Sequence, residues 1–473
     1  MGFKFSLLLC ALLTCTLAER PTFSKFARKP RFKELYGKLD ANIRVGDAGE
    51  PLILTDYLKE NKIQEAQAAA EVDPTLFLGV KSYSGYFRIN EATNANLFFW
   101  FFPSQSNYAE DPVILWLQGG PGCSSMFGLF EEHGPVQLVG DNQLEIRNTS
   151  WSKSNSILYI DQPVGTGFSF TNGEFVKNQT QVGADLYIVL QQFFQLFPEL
   201  QSNNFFITGE SYGGKYVPAI SYTILQNNPN ADLKINLIGL AIGNGWSSPK
   251  HQLRYADYLL QHGLIDSNTR DVMFDLEQQA VNSINKGDFN EANLYMDADF
   301  RGQFSKFTLA TNFSNGNNYL VEDSDESGDE WVGNFLQRED IRRAIHVGNT
   351  PFSNGNEVYD SLIEDIPKSV AHWVEELLEN YRVLIYNGQL DLIVPYPVTI
   401  DYIKSLNFSG ADDYKKALRF TWFVGNRIAG YSKSAGNLTE VLVRNAGHNV
   451  PSDQPEWGLD LINRFVKNQP FTN

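Results

Sequence analysis

A chain of 473 residues with 42% apolar and 20% charged side chains can bury a large core and is too apolar for wholesale disorder. Its formal net charge of −17 argues against nucleic acid or an anionic membrane surface as the main partner. The 13% aromatic content suits an extensive interior and a greasy cleft.

The N-terminus sets the compartment. Lys4 precedes an apolar run from Phe5 to Leu17, and Thr16-Leu17-Ala18 stands before Glu19. Residues 1–18 therefore read as a secretory signal peptide cleaved near Ala18, since the run is too short to span a bilayer well. Cys10 and Cys15 leave with it, so the mature chain keeps Cys123 alone and has no internal disulfide. Sequons at Asn148, Asn178, Asn312, Asn407 and Asn437 agree with secretion and predict surface loops at those points. Localisation is expected in the secretory pathway, with the product secreted or lysosomal.

Residues 19–77 form an N-terminal arm or propeptide, helical from Tyr57 to Glu71. Two antiparallel strands follow, Tyr83 to Ile89 and Asn96 to Phe102, joined by a polar turn. Pro112 to Leu117 and Ser156 to Asp161 are continuous apolar runs, the mark of strands buried on both faces of a parallel sheet. A helix is expected from Val182 to Phe197, then strands at Asn204–Thr208 and Leu237–Gly243 around a helix from Lys215 to Gln226. That alternation predicts an α/β chain with a mostly parallel sheet, helices on both faces and an antiparallel start. Residues 78–245 form its first part and 376–473 its second, with strands at Tyr381–Tyr386, Leu418–Phe423 and Thr439–Arg444 and a closing helix from Trp457 to Val466. Between them, 246–375 reads as a helical insertion or lid, with a solvated acidic loop at 322–330.

Gly209-Glu210-Ser211-Tyr212-Gly213 matches the G-x-S-x-G elbow that exposes a nucleophilic serine between a strand and a helix. Chance gives roughly 0.2 such matches in a chain of this composition, so the pattern needs support. In an α/β-hydrolase the acid and then the histidine follow at the ends of later strands. Asp391 follows the strand Tyr381–Tyr386, and His448 follows Thr439–Arg444 on a glycine-permitted loop. His448 is expected to take the Ser211 proton and return it to the leaving group, oriented by Asp391. Trp116 to Ser125, glycine-rich and directly after a buried strand, suits the oxyanion loop, with the Gly120 and Tyr212 amides as donors. No Lys-Ser/Thr follows those glycines, which removes a phosphate-cradle reading.

Trp116–Ser125, Asp161–Ser169, Gly209–Pro218, Asn387–Asp391 and Gly447–Pro455 together resemble the serine carboxypeptidases. The likeness runs from about Tyr83 to Phe465. Within that family Gln118, Ser124–Phe130 and Ile345–Gly348 are most similar to the vitellogenic type. The resemblance implies the α/β-hydrolase fold and an exopeptidase that removes C-terminal residues at acidic pH. It also implies recognition of the terminal carboxylate by Trp116, Gln118, Gly119, Glu132 and Glu210. Two adjacent acids cannot both ionise cheaply, so one keeps a proton and can donate it to that carboxylate. Three departures stand out: Gln118 where many members have Asn, Asn449 where an apolar residue often lines the leaving-residue pocket, and the missing disulfides. Peptide or protein C-termini are the expected partners, without nucleic acid, membrane, metal or cofactor. A homodimer is compatible with the sequence. An acyltransferase, a lipase or esterase, and a catalytically idle binding protein of the same fold remain as alternatives.

Overall fold

The computed structural model describes residues 46–472 apart from 141, 302–304, 314–315 and 322–326, with backbone only for 327–330. The signal-peptide reading lies outside the described residues, as does most of the acidic stretch.

Ten strands make the central sheet: β1 (Tyr83–Asn90), β2 (Ala95–Phe102), β3 (Val113–Leu117), β4 (Ser156–Ile160), β5 (Phe205–Glu210), β6 (Leu237–Gly243), β7 (Arg382–Gly388), β8 (Phe420–Val424), β9 (Arg427–Ala435) and β10 (Leu438–Val443). Their spatial order is β1-β2-β4-β3-β5-β6-β7-β10-β9-β8. The six central strands, β4 to β10, pair in parallel, and both edges are antiparallel. This is the α/β-hydrolase fold.

Alternation along the strands builds two cores. Leu115, Leu158, Ile207 and Ile385 face one side, where helices Gln179–Leu196 and Gly213–Asn227 cover them. Ile114, Tyr159, Phe206 and Leu384 face the other, against Trp457, Leu461 and Phe465 of the closing helix Pro455–Val466. With both faces covered, every residue of β3 and β4 is buried, which is why these strands read as unbroken apolar runs. Each such side chain contributes roughly 1.5–3 kcal/mol by leaving water.

Several expectations change. The predicted helix from Tyr57 to Glu71 is two short helices, Leu54–Lys59 and Ile63–Ala70, because Asn61 takes a left-handed conformation at φ 57° between them. The acidic loop ends early: helix Ser327–Leu336 begins inside it, and Val332, Phe335 and Leu336 are buried at helical spacing. Strand β9, the hairpin Val136–Val139/Gln143–Ile146 and helix Tyr396–Ser405 have no counterpart in the sequence reading. All five sequon asparagines are exposed. Among the described residues no helix is long and apolar enough to cross a membrane.

Candidate active site

The parallel strands end together, and their carboxyl ends carry the polar residues. Strand β5 is buried throughout and turns at once into helix Gly213–Asn227, which forces Ser211 to φ 58°. That conformation costs a serine about 1–3 kcal/mol. Hydrogen bonds hold it there: Ser211 N–H donates to Gly243 O at 3.0 Å, and Ser211 O accepts from Gly214 N and Trp246 N, both at 2.9 Å. The flanking glycines are required by contact, since a Cβ on Gly209 would lie 2.5 Å from Leu117 O and one on Gly213 2.9 Å from the same atom.

Asp391 and His448 come together across the ends of β7 and β10. His448 Nδ1 lies 2.9 Å from Asp391 Oδ2, and both residues are buried. The Asp391 carboxylate also accepts from Ile393 N at 2.7 Å, Val394 N at 3.1 Å and Asn244 Nδ2 at 2.7 Å. Asn244, at φ 44° just past β6, was missed by sequence reasoning; the Gly243-Asn244-Gly245 turn at a strand end was the available signal. The insertion contributes as well. Asn317 O accepts the His448 backbone N–H at 2.7 Å, Gly316 O accepts from Leu392 N at 2.9 Å, and Asn318 Nδ2 donates to Asp453 Oδ2 at 2.9 Å. Segment 316–318 thus braces both loops.

The loop after β3 closes tightly on the elbow. A Cβ on Gly119 would sit 2.6 Å from Tyr212 N and 2.7 Å from Glu210 O. Gly120 is left-handed at φ 109°, and among the described residues no protein acceptor takes the Gly120 or Tyr212 amide. Asp161 at the end of β4 ties this loop down, accepting from Ser124 Oγ at 2.6 Å, Ser125 N at 3.0 Å and Phe168 N at 2.9 Å. Burial pushes its pKa up to about 6. The Tyr212 side chain reaches the insertion instead, its hydroxyl donating to Asp365 Oδ2 at 2.6 Å. Gln179 Nε2 joins that carboxylate at 2.7 Å, and the buried Lys215 Nζ donates to Asp365 O.

Beside Ser211 lies a chain of buried polar groups. Trp116 Nε1–H donates to Gln118 Oε1 at 2.8 Å, which turns the Gln118 amide so that Nε2 donates to Glu210 Oε1, also at 2.8 Å. Asn449 Nδ2 donates to the same oxygen at 2.5 Å. Trp116 has no exposed surface, so it acts on this site through Gln118. Asn449, expected against the leaving residue, has its amide on Glu210.

Glu210 Oε2 and both oxygens of Glu132 are buried, and the well-formed amide hydrogen bonds of Gln118 and Asn449 go to Glu210 Oε1 instead. The two carboxyls are close enough to act on each other electrostatically, so they cannot both ionise cheaply and one keeps its proton. Burial first, and then the charge of Glu132, hold the Glu210 pKa well above the usual carboxylate range. Burial raises Glu132 to about 7, partly offset by the lowering influence of neighbouring Glu210 and Gln118. Glu132 sits on a π-helical turn, Gly128–His133, a distortion frequent at functional sites. The buried guanidinium of Arg147 clamps that turn, donating to Phe130 O, to Glu132 O at 3.1 Å and to Gly134 O at 3.1 Å. Arg147 too was invisible in the sequence.

The serine carboxypeptidase family model matches residues 73–468. This chain belongs to the serine carboxypeptidase family. It is 49% identical to a venom serine carboxypeptidase of Apis mellifera, over 90% of this chain and 92% of that one. It is 43% identical to a vitellogenic carboxypeptidase of Aedes aegypti, with 98% of each covered, and 43% identical to the probable serine carboxypeptidase CPVL of Homo sapiens, over 92% and 93%. Among solved structures it is similar to the prohormone-processing carboxypeptidase Kex1 of Saccharomyces cerevisiae, with TM-score 0.74, 25% identity, and 85% of this chain and 96% of that one covered. Members of this family are hydrolases of the exopeptidase class, acting on peptide substrates. Among the described residues no group of three or more His, Cys, Asp or Glu is placed to hold a metal ion.

Proposed function

We propose that this serine carboxypeptidase works through Ser211, His448 and Asp391, and that it recognises peptide C-termini by a protonated carboxyl pair. Ser211 Oγ attacks the last peptide carbonyl while His448 takes its proton, and Asp391 holds the imidazole. The Gly120 and Tyr212 amides receive the oxyanion. Collapse of the tetrahedral intermediate breaks the C–N bond, His448 protonates the departing amine, and the Ser211 ester remains. Water then attacks that ester with His448 as base, releasing the shortened peptide.

The observation that carries the substrate assignment is the Glu132–Glu210 pair, buried one residue from the elbow serine. A donor-bearing neutral carboxyl binds a carboxylate, whereas an ionised one repels it, and this favours acidic pH. Gln118 and the Gly119 segment complete the carboxylate site, Trp116 positions Gln118, and the leaving residue lies near Asn449. The apolar N-terminal run and the five exposed sequons support passage through the secretory pathway, to the outside or to the lysosome.

Labelling with a fluorophosphonate followed by peptide mapping tests the nucleophile. The adduct is expected on Ser211 and absent from Ser211→Ala. A protein that takes no label, or takes it on another serine, contradicts the assignment.

A further inference from the structure

A hollow opens beside Ser211. Its volume is about 420 Å³ including the mouth, and Gly120, Ser211, Tyr212, Tyr255, Arg301 and Tyr359 line it. None of Trp116, Gln118, Glu132, Glu210 or Asn449 is in its wall. If the terminal carboxylate sits on that group, as proposed above, the leaving residue is on that side of Ser211. The hollow, touching both the nucleophile and the oxyanion amides, is left for the acyl side.

Most of its wall is apolar and fixed. Tyr255 stacks on Phe300 with ring centroids 4.3 Å apart and an interplanar angle of 11°, and its hydroxyl donates to Ile393 O at 2.8 Å. Arg301 is the exception, a guanidinium only 7% exposed. Its Nη2 donates to Asn293 Oδ1 at 2.8 Å and pairs with Asp297 Oδ1 at 2.9 Å. Among the described residues its buried Nε and Nη1 have no acceptor, and neither does the hydroxyl of Tyr359, an electrostatic neighbour of the guanidinium. Folded proteins seldom leave buried donors unmatched, least of all on a charged group. Among the described residues Asp297 is the carboxylate ion-paired with Arg301, and it engages one nitrogen of the guanidinium. A side chain that carries a carboxylate to this wall would supply the missing acceptors.

We propose that this cavity receives the side chain of the penultimate residue and that Arg301 makes it select an acidic one. The inference rests on the carboxypeptidase reading above and adds the substrate class to it. Asp297 and Asn293 hold the guanidinium by one nitrogen, and its other donors have no acceptor among the described residues. Glutamate is favoured over glutamine, its neutral isostere, because a charge-assisted hydrogen bond is roughly twice as strong as a neutral one.

The test uses N-blocked dipeptides Glu-Phe, Gln-Phe and Leu-Phe at pH 5, with release of phenylalanine as the readout. The wild-type chain is expected to show kcat/KM for Glu-Phe about tenfold or more above Gln-Phe. In Arg301→Met the Glu/Gln ratio falls to about one, while Arg301→Lys keeps part of it. If the methionine variant does not fold, the wild-type ratio decides alone. Release from all three peptides without preference for Glu overturns the inference and leaves the carboxypeptidase reading standing. Release from none overturns both.

Discussion

Raising the pH from 5 to 8 is expected to weaken binding of a peptide with a free C-terminus and to spare the same peptide as its C-terminal amide. Below about pH 7 both members of the Glu132–Glu210 pair hold their protons, because burial raises Glu132 to about 7 and Glu210 well beyond the usual range. Above that, the pair carries a negative charge where the substrate carboxylate must sit, and that carboxylate, with a pKa near 3.5, is ionised throughout. If only the neutral pair binds, the competent fraction at pH 8 is roughly one-eleventh, and KM rises about tenfold, or about 1.4 kcal/mol. The assay is steady-state kinetics on the matched pair of peptides from pH 5 to 8, read as the ratio of their KM values. Any other titration in the site acts on both peptides and cancels. The double variant Glu132→Gln, Glu210→Gln is expected to give a flat ratio. A flat ratio in the wild-type chain would refute the reasoning.

Further outcomes follow from individual contacts. Asn244→Ala removes an amide donor from the buried Asp391 carboxylate, worth about 1.5–3 kcal/mol for a bond to a charged group, so kcat falls roughly 10- to 100-fold with little change in KM. Arg147→Met frees the π-helical turn that carries Glu132; KM for free-acid peptides rises severalfold while KM for their amides stays put, in the same paired assay. Gly119→Ala drives a methyl into Tyr212 N and Glu210 O, and fluorophosphonate labelling of Ser211 is expected to slow by at least tenfold. Stability also depends on pH. Glu132 and Glu277 rise from 4.5 to about 7, and Asp161 from 3.8 to about 6, so the folded state binds more protons than the unfolded chain in that window. The resulting stability is fully present below about pH 4 and is lost as pH rises towards 7, by up to about 3 kcal/mol for each such group. Thermal melts are expected to show a lower Tm at pH 8 than at pH 5, and the reverse order would contradict these assignments.

The centre of the fold was legible because burial on both faces leaves a plain signature. β3 and, after Ser156, β4 are wholly apolar, and β5 is aromatic and β-branched up to the elbow. The edges were not. Arg427–Ala435 is partly exposed, and six of its nine residues are Gly, Ser, Ala or Lys, which have weak strand preference, so composition does not mark it. Its glycine-asparagine turns, Gly425-Asn426 and Gly436-Asn437, were the readable sign, with both glycines left-handed. In the site, the elbow motif, chain order and placement at strand ends separated Ser211, Asp391 and His448 from other residues of their type. Asn244 and segment 316–318 escaped because each acts across a long sequence distance, as with Asn244 and Asp391, 147 positions apart; Arg147 escaped because no motif marks an arginine that binds main-chain carbonyls of a turn. Glu210 and Glu132 could be named as a pair from the resemblance, but the amides of Gln118 and Asn449 meeting on one oxygen of Glu210 required coordinates.

The most direct measurement is a timed digestion of an unblocked peptide at pH 5, followed by mass spectrometry, with wild-type and Ser211→Ala protein side by side. The account predicts a ladder of products, each one residue shorter at the C-terminus, from the wild-type chain and none from the variant. Internal cleavage, loss from the N-terminus, or a ladder that survives Ser211→Ala would contradict it.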